Sequence, residues 1–217
     1  MSVTAKDTRA SRVSRETLSL PIRQRLEIIV AQIRKWQPHI NLVASSTLDQ
    51  IWERHIDDSL QICHLVPEAR HWIDLGSGGG FPGLVVAASL MDRNDFHMVL
   101  VESNGKKCAF LRETARLAAL PVTVLHGRIE MIVSTLKQSF DVVSARAVAS
   151  FEQLLVLSEP LLAKGAVGIF PKGQDVDDEL AHATMSWSLV VNLIHSQTEP
   201  NARIVLVRSA SRKGLQA

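Results

Sequence analysis

The chain has 217 residues, 46% hydrophobic and 21% charged, with 24 Lys and Arg against 22 Asp and Glu for a formal net charge of +2. This balance excludes a disordered, collagen-like or coiled-coil chain, and the length predicts one domain with an extension rather than two full domains. The longest apolar stretch, residues 81–91, contains Pro82 and Gly83 and falls short of the roughly 18 residues a spanning helix needs, so no membrane partner is expected.

In chain order, the first 25 residues carry Lys6, Arg9, Arg12, Arg15, Arg23 and Arg25 against Asp7 and Glu16. Residues 203–217 carry Arg203, Arg208, Arg212 and Lys213 with no acid, so each end has a net +4 and the segment between them −6. A polyanion is expected to meet the termini and selected basic side chains; the alternative is that these ends only aid solubility. Asp7 and Glu16 interrupt the acid-poor pattern of an organellar transit peptide and no apolar stretch supports a secretory signal, so a cytoplasmic location is expected. Residues 1–15 read as a basic, flexible head.

The spacing of Leu18, Ile22, Leu26, Ile29, Val30 and Ile33 predicts an amphipathic helix over 17–35, ended by Trp36-Gln37-Pro38. A second helix is predicted over 47–65, with Thr47 as N-cap and Leu48, Ile51, Trp52, Ile56 and Leu60 on its buried side. His55 and Asp58, three apart, are expected to pair and lock this cap of residues 16–69 onto the glycine-rich loop at 76–83. From residue 70 to 217 the pattern changes to a single α/β unit. Strands are predicted at 71–75, 96–102, 122–126, 140–145, 166–171, 189–195 and 203–208, with crossover helices at 83–91, 106–120, 130–138 and 151–163. The last two strands, joined by only 196–202, predict an antiparallel hairpin beside a mostly parallel, doubly wound sheet. Cys63 and Cys108 stand alone, without a CxxC or a nearby His pair, so neither a metal site nor a disulfide is expected, and both read as buried thiols of a reducing compartment.

The run Asp74-Leu75-Gly76-Ser77-Gly78-Gly79-Gly80-Phe81-Pro82-Gly83 follows a strand and opens a helix. Glycines let such a loop turn sharply and approach a ligand without a Cβ in the way, Pro82 suits a first helical position, and the helix start offers N–H donors. From Gly78 the letters satisfy the GxGxxG of a nicotinamide dinucleotide site, but Phe81 would then press on the pyrophosphate. From Gly76 they read GxGxG after an acid, the pattern of S-adenosylmethionine enzymes, with Asp74 holding donors around the methionyl ammonium and the loop. Glu102, ending the second strand, suits the ribose hydroxyls of either cofactor. His126-Gly127-Arg128-Ile129-Glu130, after the third strand, can bracket an adenine edge. Arg146 and Lys172 follow the fourth and fifth strands, at the edge where open α/β sheets bind ligands.

These residues resemble those of the bacterial small-subunit ribosomal RNA guanine-N7 methyltransferases, the glucose-inhibited division protein B family. The likeness runs from about Asn41 to Arg208 through Asn41-Leu42-Val43, Glu53-Arg54-His55-Ile56 with Asp58-Ser59-Leu60, the glycine loop, Gly105-Lys106-Lys107, Arg128-Ile129-Glu130, Ser144-Ala145-Arg146-Ala147 and Pro171-Lys172-Gly173. It implies a Rossmann-like methyltransferase fold and an S-adenosylmethionine pocket made by Gly76, Gly78, Phe81, Glu102, the backbone of Ile129 and Glu130, and Arg146. It further implies RNA contacts by Lys106, Arg128, Lys172 and Arg203, with Arg146 the residue carried over as catalytic. The partner implied is 16S ribosomal RNA, free or within the 30S subunit, acted on by a monomer without metal. Guanine N7 has an in-plane lone pair and needs no deprotonation, so no general base is expected, and none of the sequence patterns for one occurs near the ligand edge. Arg146 could serve guanine O6, a phosphate or the methionyl carboxylate. The alternatives are a small-molecule methyltransferase, a nicotinamide-dependent oxidoreductase and a non-catalytic RNA-binding protein.

Overall fold

Short β-branched runs form the strands β1 (His71–Leu75), β2 (His97–Glu102), β3 (Val122–His126), β4 (Val142–Ser144), β5 (Val167–Lys172), β6 (Trp187–His195) and β7 (Arg203–Arg212) in the computed structural model, which describes residues 17–214. The basic head expected at 1–15 lies outside the described residues. The strands make one sheet in the order β3-β2-β1-β4-β5-β7-β6. β1 to β5 pair in parallel, and β7 runs antiparallel to both β5 and β6. The expected doubly wound sheet with a C-terminal antiparallel hairpin is therefore present. Its switch point lies between β1 and β4, where the chain leaves for opposite edges of the sheet.

The helices are α1 (Leu20–Trp36), α2 (Asp58–Leu60), α3 (Gly83–Leu90), α4 (Gly105–Leu117), α5 (Ile129–Thr135), α6 (Phe151–Leu162) and α7 (Val176–Ser186). Neighbouring side chains of β1 point to opposite faces, so Trp72 joins one apolar cluster and Ile73 the other. The first cluster holds Leu26, Ile29 and Ile33 of α1, Leu84 of α3 and Phe110 of α4. The second holds Phe151 and Leu155 of α6, Ala183 of α7 and Val205 of β7. Full burial of each large apolar side chain stabilises the fold by roughly 1.5–3 kcal/mol. The N-terminal cap thus shares its core with one face of the sheet.

Two expectations are corrected. The single helix predicted over 47–65 is instead a 3₁₀ turn (Ser45–Thr47), a π-helical turn (Trp52–Asp57) and the short α2, after which the chain proceeds in turns. Thr47 is not an N-cap. Its hydroxyl bonds back to the Ala44 carbonyl at 2.8 Å rather than forward to an N–H of the next turn. Apolar spacing alone cannot reveal one extra residue inserted into a turn, which is what a π-helical turn is. The second correction is α7, an unpredicted helix between β5 and β6 whose first turn carries Asp177, Asp178 and Glu179.

The loop after α1 is held by one side chain. Gln37 accepts N–H bonds from Leu42 (3.0 Å) and Val43 (3.2 Å) through Oε1, and donates through Nε2 to the Val43 carbonyl (2.8 Å). This seats the Leu42 carbonyl against the glycine loop, where a Cβ on Gly79 would stand only 2.7 Å from the oxygen. Gln37→Ala is expected to lower unfolding stability by about 2 kcal/mol, since it leaves part-buried backbone groups without partners; urea denaturation of the two proteins measures the difference.

Candidate functional site

The glycine loop leaves β1 at the switch point with Gly76, Gly78 and Gly80 at positive φ (67°, 51° and 86°). Glu102, at the end of β2 and buried, accepts the Gly78 N–H at 2.9 Å through one oxygen and the Asn104 N–H at 2.7 Å through the other. A Cβ built on Gly78 would meet no atom closer than the Gly76 carbonyl oxygen at 3.7 Å, so that side of the loop faces free space. Pro82 stands at the N-cap of α3, one position before the predicted one. Phe81 is buried and its ring packs against the cap.

Asp74 is fully buried beneath the loop. Oδ1 accepts the hydroxyl of Ser144 on the neighbouring strand at 2.8 Å, while Oδ2 lies beside Gly83 and Ser77 with no contact that reaches full hydrogen-bond geometry. Burial pushes its pKa from 3.8 up to about 6, opposed by Ser144, Ser77, the Gly83 N–H and the charge of Arg146. A carboxylate kept in place at such a cost fits a loop built for a cationic or N–H-rich ligand group.

Two clefts flank the switch point. One, of about 600 Å³, is lined by Gly76, Glu102, Arg128, Ile129, Glu130 and Val148, with Gln153 and Leu157 of α6 behind them. It brings together Gly76, Glu102, Ile129 and Glu130, which the sequence assigned to a cofactor. Arg128, assigned to RNA, is exposed on the rim of the same cleft. The other, of about 370 Å³, lies over the ends of β4, β5 and β7 and contains Arg54, Arg146, Lys172 and Arg203. Lys106 is exposed at the start of α4 and lines neither.

Arg146 follows β4 and is held by the cap. Nη1 donates to Asp58 Oδ2 (3.2 Å) and the Arg54 carbonyl (3.3 Å), Nη2 donates to His55 Nδ1 (2.7 Å), and the guanidinium lies 5.3 Å over the Phe81 ring. His55 in turn stacks on Phe81, centroids 4.9 Å apart. His55 and Asp58 therefore do not pair with each other as expected; both hold Arg146. Asp58 Oδ1 accepts from Gln61 (2.8 Å) and Thr198 (2.9 Å), which ties the cap to the β6–β7 turn. Lys172 is only 11% exposed, its Nζ 2.7 Å from Glu179 of α7 and 3.1 Å from the Ala149 carbonyl. A phosphate reaching it has to compete with that carboxylate. Arg203 Nη1 bonds the carbonyls of Pro200 and Ala202. Arg54, half-exposed and paired with Glu199 at 2.7 Å, is a cleft cation that the sequence reading passed over, although it stands inside Glu53-Arg54-His55. Among the described residues no group of three or more His, Cys, Asp or Glu is placed to hold a metal, and no helix is long and apolar enough to cross a membrane.

Residues 22–205 match the family model GidB, rRNA small subunit methyltransferase G. The chain is 50% identical over 200 residues to the ribosomal RNA small subunit methyltransferase G of Methylorubrum populi, covering 92% of each, and 44% identical over 203 residues to that of Rhodopseudomonas palustris, covering 94% of this chain and 85% of the relative. In fold it is similar to the Podospora anserina methyltransferase PaMTH1 solved with S-adenosylhomocysteine, at TM-score 0.61 and 13% identity over 84% of this chain and 88% of that one. The Streptomyces achromogenes O-methyltransferase TomG, solved with S-adenosylmethionine, is similar at TM-score 0.56 and 13% identity over 89% and 91%.

Because the Asp74 pKa is higher in the fold than its ordinary 3.8, the folded protein keeps a proton that the unfolded chain has lost between about pH 4 and 6. Stability from this group falls as pH rises through that window and stays lower above it, by about 3 kcal/mol. Urea denaturation at about pH 4 and about pH 7.5 should show wild type losing that increment and Asp74→Asn keeping it; parallel pH dependence in both proteins would refute the assignment.

Proposed function

This chain belongs to the GidB family, rRNA small subunit methyltransferase G, and from that premise we propose that it methylates N7 of one guanosine in 16S ribosomal RNA with S-adenosylmethionine as donor. The observation that carries the reading is the pair of unlike clefts flanking the switch point: one is walled by the glycine loop and two acids, and the other holds Arg146 with Arg54, Lys172 and Arg203. The first fits the cofactor. The free space on the Gly78 side of the loop gives a ligand close approach to backbone, and that Glu102, Ile129 and Glu130 line one cleft with Gly76 supports their assignment to ribose and adenine. When bound, S-adenosylmethionine supplies an electrophilic methyl on a sulfonium.

The chain's own residues then have three tasks. Glu102 fixes the loop by accepting the Gly78 N–H. Arg146, with three of its five N–H donors engaged by Arg54, Asp58 and His55, has donors left for guanine O6 or a flanking phosphate. Lys106, Arg128, Lys172 and Arg203, together with Arg54, supply positive charge to the RNA backbone around that point. No residue needs to remove a proton, because the N7 lone pair is already free; the gain in rate comes from orientation, which is worth on the order of 7–11 kcal/mol at most. The proposed enzyme acts as a cytoplasmic monomer.

Incubation of the purified protein with labelled S-adenosylmethionine and either unmodified 30S subunits or free 16S RNA is expected to label one guanosine, with mass mapping placing the methyl on N7. Label on another atom, or none on either substrate, would refute the proposal. Glu102→Ala should weaken S-adenosylhomocysteine binding at least about tenfold in calorimetric titration, as a hydrogen bond to a charged acceptor contributes about 1.5–3 kcal/mol. NAD binding in the same experiment, in place of S-adenosylhomocysteine, would favour the oxidoreductase instead.

A further inference from the structure

A guanidinium has only donors, so the nitrogen that faces one across a hydrogen bond must carry a lone pair. His55 Nδ1, 2.7 Å from Arg146 Nη2, is therefore bare, and a neutral imidazole with a bare Nδ1 has its proton on Nε2. That proton has an acceptor. Nε2 lies 2.8 Å from Thr47 Oγ1, and the single Thr47 hydroxyl proton is directed to the Ala44 carbonyl, also at 2.8 Å. Each hydrogen bond in the series Ala44–Thr47–His55–Arg146 thus has one donor and one acceptor.

We propose that His55 is a positioning residue for the methyl transfer: a neutral imidazole in the Nε2–H form that aims Arg146 at the target base while its ring rests on Phe81 of the glycine loop. The role rests on the proposed function, since it acts through Arg146 at the guanosine. The one side chain bridges the glycine loop and the second cleft, because it stacks on Phe81 of the loop and bonds Arg146, which lines that cleft. Its neighbours keep it neutral. Burial and then the charges of Arg146 and Arg54 lower its pKa to about 4, and the one carboxylate beside Arg146, Asp58, has both oxygens engaged. A protonated His55 would turn a donor toward Arg146 and break the contact. His55, in the π-helical turn, and Asp58, which opens α2 directly after it, meet the same guanidinium.

Three variants separate the hydrogen bond from the stack. His55→Phe keeps a ring on Phe81 and removes the acceptor, and is expected to lower the single-turnover methyl-transfer rate about 30-fold while S-adenosylhomocysteine affinity stays within about threefold, as a displaced orienting group costs rate rather than cofactor binding. His55→Asn returns an oxygen near the Nδ1 position and should recover about tenfold of that loss. Thr47→Val leaves His55 and Arg146 in place but removes the Nε2–H acceptor, and should slow transfer about threefold.

Independently of activity, ¹⁵N NMR of ring-labelled histidine, with the His55 signals identified by their absence from His55→Asn, should show a bare Nδ1 and a protonated Nε2 that do not titrate between about pH 5 and 8. An Nδ1–H form, or a ring titrating near its ordinary 6.5, would overturn the proposal. An active wild type with an equally active His55→Phe would overturn the positioning role alone. A wild type that methylates no ribosomal RNA would sink the function and this role together.

Discussion

Glu102 reaches from the end of β2 under the loop that follows β1, and its carboxylate accepts the Gly78 N–H. The loop cannot brace itself, because glycine carries no side chain to pack and surrenders the most conformational freedom on folding. A charged acceptor on the next strand offsets that loss, and the adjoining Asn104 N–H and the cap of α4 by the Asn104 side chain fix the carboxylate in turn. Asp74 does the complementary work from below, joining β1 to β4 through Ser144. A backbone kept bare for a ligand is thus held by its two flanking strands rather than by its own contacts.

The cap extends the same arrangement across the switch point. It presses the Leu42 carbonyl onto Gly79, lays His55 on Phe81 and places Asp58 between Arg146 and the β6–β7 turn. Segments far apart in sequence therefore converge on one arginine. In energetic terms Arg146 is half-buried, and the ion pair with Asp58, both side chains under 20% exposed, is better shielded from solvent than the half-exposed Arg54–Glu199 pair.

Much of this was legible beforehand because it depends on local pattern. Period-two and period-3.6 hydrophobicity identified β1 to β7, α1 and α3 to α6, and the short 196–202 connection forced the antiparallel hairpin. The glycine loop, Glu102, Ile129 and Glu130 could be assigned to one ligand because each ends or follows a parallel strand, and the ends of such strands share an edge. What escaped was set by tertiary contact or by small departures from ideal period. Apolar spacing over 48–60 fits an ordinary helix as well as the π-helical turn that is present. α7 went unread although Asp177, Asp178 and Glu179 favour a helix start electrostatically. With α7 missed, the carboxylate that occupies Lys172 was missed too. That His55 and Asp58 would bind a third residue rather than each other could not follow from their spacing, since the arginine lies about ninety positions further along.

β7 is the last described strand in sequence but not the last in the sheet: it lies between β5 and β6, and the turn that leads into it carries the Thr198 that holds Asp58. Among the described residues β6 pairs with no strand but β7, so β7 alone carries β6 into the sheet. Disruption of β7 would therefore release β6 and slacken the turn through which Thr198 holds Asp58. One strand's pairing thereby governs both the rim of the sheet and the tether of the cap.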